Sequence, residues 1–179
     1  MKIKALFSLL VLCVFTGFKP LEEEDKPELI YVFDPLCGWC YGFSPAIQQL
    51  QNDYKDKVTF RIMSGGLSTS DKPLPEEAVA YITQALGQVE KKSGVPFGEK
   101  YIQLLKDSKN SYSSLPPSIA VSVVKEMNSD IAFEYAISLQ EAIFHEGMSP
   151  NDDSTYTMLA QKHRLEEEVF FDKFNTALF

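Results

Sequence analysis

Metal-binding and basic side chains are scarce in this chain of 179 residues. It has three cysteines, two histidines, and 17 Lys and Arg against 25 Asp and Glu. The formal charge of −8 argues against a nucleic-acid partner, because an acidic surface repels phosphate backbones and anionic membranes. A zinc site needs four ligands, and beyond the cysteines only His145 and His163 remain, with no close-spaced pair to match the first. No metal is expected. Both histidines are read as helix-surface residues near helix ends, where a cation suits the dipole. The apolar run Ala5–Phe15 falls short of the ~20 residues that cross a bilayer. No internal repeat or low-complexity tract is present. With 45% hydrophobic, 12% aromatic and 23% charged residues, the composition is globular and suits one domain, with room for an inserted subdomain.

The short apolar run has a use. Lys2 and Lys4 precede it, and a basic start followed by a short apolar stretch is the pattern of a secretory signal. Thr16 and Gly17 are the small residues at which it would be cut. The alternatives are an uncleaved anchor and a lipidated Cys13. Cleavage after residue 17 would remove Cys13 and leave one Cys-x-x-Cys in an oxidising compartment, either periplasmic or otherwise extracytoplasmic.

Residues 18–28 read as an acidic tether. Leu29–Phe33 is a continuous apolar, β-rich run, the pattern of a strand buried on both faces, and Val58–Met63 is a second strand closed by Ser64-Gly65-Gly66. Cys40, Phe43, Ile47, Leu50 and Tyr54 recur between them at helical spacing, so the segment reads as a βαβ unit with parallel strands. Helices dominate after Gly66, and Val169-Phe170-Phe171 sits among acids at helical spacing.

The chemistry lies in Cys37-Gly38-Trp39-Cys40, which follows the first strand and opens the helix. A cysteine at a helix start meets unpaired N–H groups and the positive end of the dipole, which favour its thiolate. Cys37 is therefore assigned as the nucleophile. Cys40 shares the apolar stripe and is assigned as the buried resolving thiol. Gly38 and Trp39 tune the redox potential. Trp39 and Tyr41 fall off the stripe and are read either as walls of a client-binding surface or as ordinary packing. A structural disulfide and a zinc site compete for the pair. Pro45 is expected to kink the helix.

The segment Phe33-Asp34-Pro35-Leu36-Cys37-Gly38-Trp39-Cys40-Tyr41-Gly42-Phe43 resembles the active site of the DsbA family, nearest its predicted protein-disulfide isomerase branch with a Cys-x-Trp-Cys core. Met63–Leu67, Gly94–Gly98, Pro117–Ala120 and Gln140–Phe144 are similar to other parts of that branch, and the resemblance covers about residues 29–179. It implies an α/β thioredoxin-like fold with a helical insertion. The βαβ part would be 29–74, the insertion 75–163, and 164–179 a helix returning toward the thioredoxin part. It also implies thiol–disulfide exchange on cysteine-containing secreted proteins, recharged by a membrane or soluble redox partner, with no cofactor. A redox-inert, client-holding module and a glutathione-dependent isomerase are the alternatives. Such isomerases carry serine at the first cysteine position, so Cys37 argues against them. The family places a cis-proline and a strand hairpin beside the cysteines. Pro96 is the one candidate for that proline, but helix rather than strand follows it, and no β-rich run follows His163. The expectation is a thioredoxin unit without its C-terminal hairpin, an unpaired sheet edge, and weak exchange activity.

Overall fold

The computed structural model describes residues 26–70, 72–107 and 111–178. The signal, Cys13 and most of the tether lie outside them. Strand β1 (Glu28–Phe33) pairs in parallel with β2 (Thr59–Ser64), in a register from Glu28 opposite Thr59 to Phe33 opposite Ser64. Parallel neighbours need a crossover, and α1 (Gly38–Tyr54) supplies it.

The apolar run of β1 is not buried on both faces. Its side chains alternate by the period of two that any strand imposes. Leu29, Tyr31 and Phe33 turn toward the helices, whereas Ile30 is 48% and Val32 58% exposed on the other face, beside Met63 of β2. A continuous apolar run states affinity for cover, not that both faces have it.

Beyond the sheet come α2 (Glu76–Ser93), α3 (Glu99–Lys106), α4 (Leu115–Met127), a 3-10 turn at Ser129–Ile131, α5 (Ala132–Phe144), α6 (Asp153–Lys162) and α7 (Glu167–Leu178). The ends follow local chemistry. Gly94 stops α2 at φ 74°, a left-handed conformation that glycine adopts without strain. Prolines open α4, and the Asp152 carboxylate accepts from the Ser154 amide at the start of α6. The most deeply buried helix is α5, whose Tyr135, Ala136, Leu139, Ile143 and Phe144 are fully enclosed. It packs on α1, α4, α6 and the inner face of β2. Helix α7 closes the far side by packing Phe174 against Tyr156 of α6, the rings tilted by 42° with 4.8 Å between centroids. Lys125 of α4 donates to the Ile62 carbonyl at 3.4 Å and occupies one acceptor of β2.

The stripe expected on α1 is rotated. Its buried residues are Tyr41, Gly42, Ser44 and Ile47, whereas Phe43, Leu50 and Tyr54 are exposed. Gly42 marks the closest approach to α2: a Cβ there would lie 2.5 Å from Val89 Cγ1. Periodicity located the helix but not its inner face, because α2 and α5 approach from a side that the stripe does not indicate. Pro45 lies within α1, on its exposed side.

Candidate active site

The loop from β1 to α1 is built around Asp34. Its carbonyl accepts from the Cys37 amide at 3.1 Å, which closes a tight turn with Pro35 at the position where proline's fixed φ is favourable. One carboxylate oxygen accepts from the Leu36 amide at 2.8 Å, and the other accepts from the Leu67 amide in the loop after β2. The Asp34 carbonyl also accepts from Gln140 Nε2 of α5 at 3.1 Å. A single buried residue thus joins the two loops at the end of the sheet and ties them to the central helix.

The turn delivers Cys37 to the N-cap of α1, where its carbonyl accepts from the Tyr41 amide at 3.1 Å. Both thiols are free, and both are half-buried. The Cys37 thiol is lowered to about 6, first by the hydrogen bond from the Cys40 thiol and then, against the cost of burial, by the amides of Cys40 and Trp39 in the first turn. The Cys40 thiol is raised well above the usual cysteine range by giving that hydrogen bond and by burial. The Asp34 charge opposes ionisation of both, whereas the Asp34 backbone amide favours that of Cys40. What separates the two sulfurs is therefore the direction of one hydrogen bond and their places on the first turn. A difference in burial does not separate them.

Trp39 is 50% exposed, with Lys92 Nζ 5.6 Å from its ring centroid. Tyr41 is not a wall of that surface. It is 7% exposed and packs between Phe97 at 5.2 Å and Phe144 at 5.1 Å, and its hydroxyl reaches the Pro96 carbonyl at 3.4 Å. Side chains in a first helical turn point in successive 100° steps, and α5 fills the direction that Tyr41 takes. The chain of rings continues from Phe144 to Tyr101 at 4.9 Å, and the Tyr101 hydroxyl meets that of Tyr112 at 2.5 Å. Tyr112 in turn reaches the Leu36 carbonyl at 3.5 Å, so the segment before α4 holds the cysteine loop. Gly38 faces Leu86 and Phe97, leaving little room for a side chain.

Pro96 lies beside the first turn of α1 as a packing element. No peptide bond among the described residues is cis. His145 is an exposed cap of α5, as its position predicts. His163 departs from the reading as a surface cation: its ring lies 5.4 Å from Tyr135, and burial lowers its pKa and keeps it neutral. No cluster of metal-binding side chains occurs among the described residues.

Sequence reasoning passed over Asp34 and Gln140 as supports of the site. Asp34 had a local signal, since an Asp before Pro favours a side-chain-braced turn. Gln140 had none, because its partner lies 106 residues away.

A strand, a cysteine at a helix N-terminus and a second cysteine one turn later define a thioredoxin-fold thiol–disulfide oxidoreductase. A family profile described as thioredoxin matches residues 31–178, and the chain belongs to that family. It is similar to a structure from Nitrosomonas europaea described as a proposed protein disulfide isomerase. That match has 26% identity and a TM-score of 0.77, over 86% of this chain and 73% of the other. It is also similar to the cytosolic disulfide reductase DsbM from Pseudomonas aeruginosa, with 26% identity and a TM-score of 0.71, over 83% of this chain and 69% of that one. A 2-hydroxychromene-2-carboxylate isomerase, at 15% identity and a TM-score of 0.56, shares the fold alone. No curated protein sequence matches the chain.

Proposed function

We propose that the protein is an extracytoplasmic thiol–disulfide oxidoreductase and isomerase acting on cysteine-containing secreted proteins. The observation that carries this reading is the opposed pair of thiols: one lowered to about 6 at the helix N-cap and one held protonated beside it. At neutral pH the Cys37 thiolate attacks a client disulfide. A Cys37–client bond forms, the client disulfide breaks, and one client thiolate leaves. Mixed-disulfide formation removes the negative charge and the acceptor that kept Cys40 protonated. Cys40 can then ionise and attack the Cys37 sulfur. A Cys37–Cys40 disulfide forms, the second client thiolate leaves, and two electrons have passed to the client. The reverse sequence oxidises a dithiol. A lowered thiol favours the reduced pair, so its disulfide is a stronger oxidant than one made from ordinary thiols.

The exposed indole of Trp39 supplies an apolar grip beside Cys37 for unfolded clients, and a membrane or soluble thiol partner resets the pair. The basic start and short apolar run of residues 1–17 support export, although DsbM is described as cytosolic. Refolding of a scrambled disulfide client and insulin reduction test the activity. Cys37→Ser should abolish both, and Cys40→Ser should accumulate mixed disulfides. Activity that survives Cys37→Ser would sink the reading. Mass spectrometry of the native envelope fraction tests export; an intact Met1 in cytosolic protein would refute it.

A further inference from the structure

Lys92 stands in the last turn of α2 and reaches the cysteine turn from that neighbouring helix. Helices α1 and α2 meet at Gly42, where a Cβ would lie 2.5 Å from Val89 Cγ1 and 3.1 Å from Ser93 Oγ. The missing side chain lets the last turn of α2 come close to the first turn of α1. Lys92 is beside Ser93, and Trp39 is about one turn before Gly42, so the lysine extends over the indole with Nζ 5.6 Å from the ring centroid. Both side chains are exposed, and Trp39 is two residues from Cys37. Among the described residues Lys92 makes no ion pair. The acid that precedes it in α2, Glu90, turns its carboxylate to the Phe97 amide at 2.7 Å.

An aromatic ring holds a cation in place without cancelling its charge, whereas a carboxylate would do both. The result is an uncompensated positive charge on the ring that flanks Cys37, in a chain whose formal charge is −8. An acidic protein repels anionic substrates, and a cation on the approach to the reacting sulfur reverses that locally. The sulfur has its own support in the Cys40 thiol and the first-turn amides, which leaves the lysine to act on what approaches. An extended client sets successive residues ~3.3 Å apart, so the neighbours of its cysteine pass over the indole when that cysteine meets Cys37. We propose that Lys92, held on the Trp39 ring, is a specificity-determining residue: it selects client disulfides that carry an aspartate or glutamate one or two residues from the reacting cysteine. The chemistry is the exchange written above, and the selectivity rests on that reading.

The test uses the reduced full chain and symmetric disulfides of the capped tripeptide X-Cys-X, with X as Glu, Gln or Lys. Loss of reduced protein after an acid quench, read by mass spectrometry, gives a second-order rate for each peptide. Dividing by the rate of a small free thiol with the same peptide removes the peptide's own reactivity. Wild type should prefer the Glu peptide to the Gln peptide. Lys92→Gln should lower that preference about threefold, as loss of one exposed charge contact does, and Lys92→Glu should lower it further and favour the Lys peptide. In 1 M KCl, where the screening length is only ~3 Å, wild type and variants should converge. Lys91→Gln makes the same change in net charge from the same turn and should keep the wild-type preference. The pH midpoint of Cys37 alkylation by neutral iodoacetamide should stay at about 6 in Lys92→Gln. No preference in wild type, or an unchanged preference in Lys92→Gln, overturns the proposal. So does an equal loss in Lys91→Gln, since net charge then suffices, or a shifted alkylation midpoint, since Lys92 then acts on the sulfur. If wild type reacts with none of the peptides, the thiol-exchange reading fails and the selectivity falls with it. If wild type reacts and Lys92→Gln discriminates as before, only the selectivity fails.

Discussion

Gln140 of α5 donates from Nε2 to the carbonyl of Asp34 at 3.1 Å, and both residues are buried. The same carbonyl receives the Cys37 amide, so the helical part of the chain braces the peptide that sets the position of Cys37. The Asp34 carboxylate continues the bracing into the Leu67 loop.

Asp34→Asn should destabilise the fold by ~1–3 kcal/mol. The carboxylate accepts two backbone amides, one on each oxygen, whereas a carboxamide presents N–H groups to one of them and leaves that amide unpaired. Urea unfolding at neutral pH measures this. A midpoint equal to wild type would mean that the two amide contacts contribute nothing.

Tyr41 and Trp39 should separate cleanly. Tyr41→Ala removes a core ring and should cost ~3–5 kcal/mol, as truncation of large buried aromatics does. Trp39→Ala should cost less than ~1 kcal/mol, because its ring is half exposed and its one marked partner is the Lys92 cation. Client affinity should fall in Trp39→Ala at unchanged thermal midpoint. A larger stability loss in Trp39→Ala than in Tyr41→Ala would reverse the assignments.

Cys40→Ala should raise the pH at which Cys37 is alkylated from about 6 toward the ordinary cysteine range. The Cys40 thiol is the largest stabiliser of the Cys37 thiolate, and the amides that remain are weaker. Iodoacetamide labelling against pH gives the midpoint. No shift would assign the lowered value to the helix N-terminus alone.

The reduced protein should gain stability as pH rises from about 6 toward the unfolded thiol value near ~8.5. In that window folded Cys37 has lost its proton while unfolded Cys37 keeps it, so the unfolded state binds more protons and stability rises with pH. Below pH 6 the gain is lost. Above the unfolded value the raised Cys40 works in the opposite sense, since it stays protonated when folded and ionises when unfolded. The oxidised protein lacks both terms. Parallel denaturation of the two redox forms between pH 5 and ~10 checks the difference, which should pass through a maximum. A flat difference would remove the thiolate from the folded state.

The cysteine pair, its place between strand and helix, the parallel strands and the succession of helices were legible in the residues. Each is set by short-range rules: a β-rich run, a helical period, prolines at helix starts and a glycine at a helix end. Which side of each element is covered was not legible. Ile30 and Val32 belong to an apolar run yet stand in the open, and Tyr41 stands off the apolar stripe yet is buried between Phe97 and Phe144. Cover depends on where α2 and α5 arrive, and neighbours within a strand or turn say nothing of that. The same limit hid the supports of the site. Asp34 and Gln140 gain their roles from partners on other elements, and a hydrogen bond spanning 106 residues has no local period to reveal it. The sequence by itself placed two cysteines one turn apart at the start of the helix that follows the first strand. The tertiary structure decided what surrounds them, because burial and a polar partner for the reacting atoms exist only once distant segments have packed together.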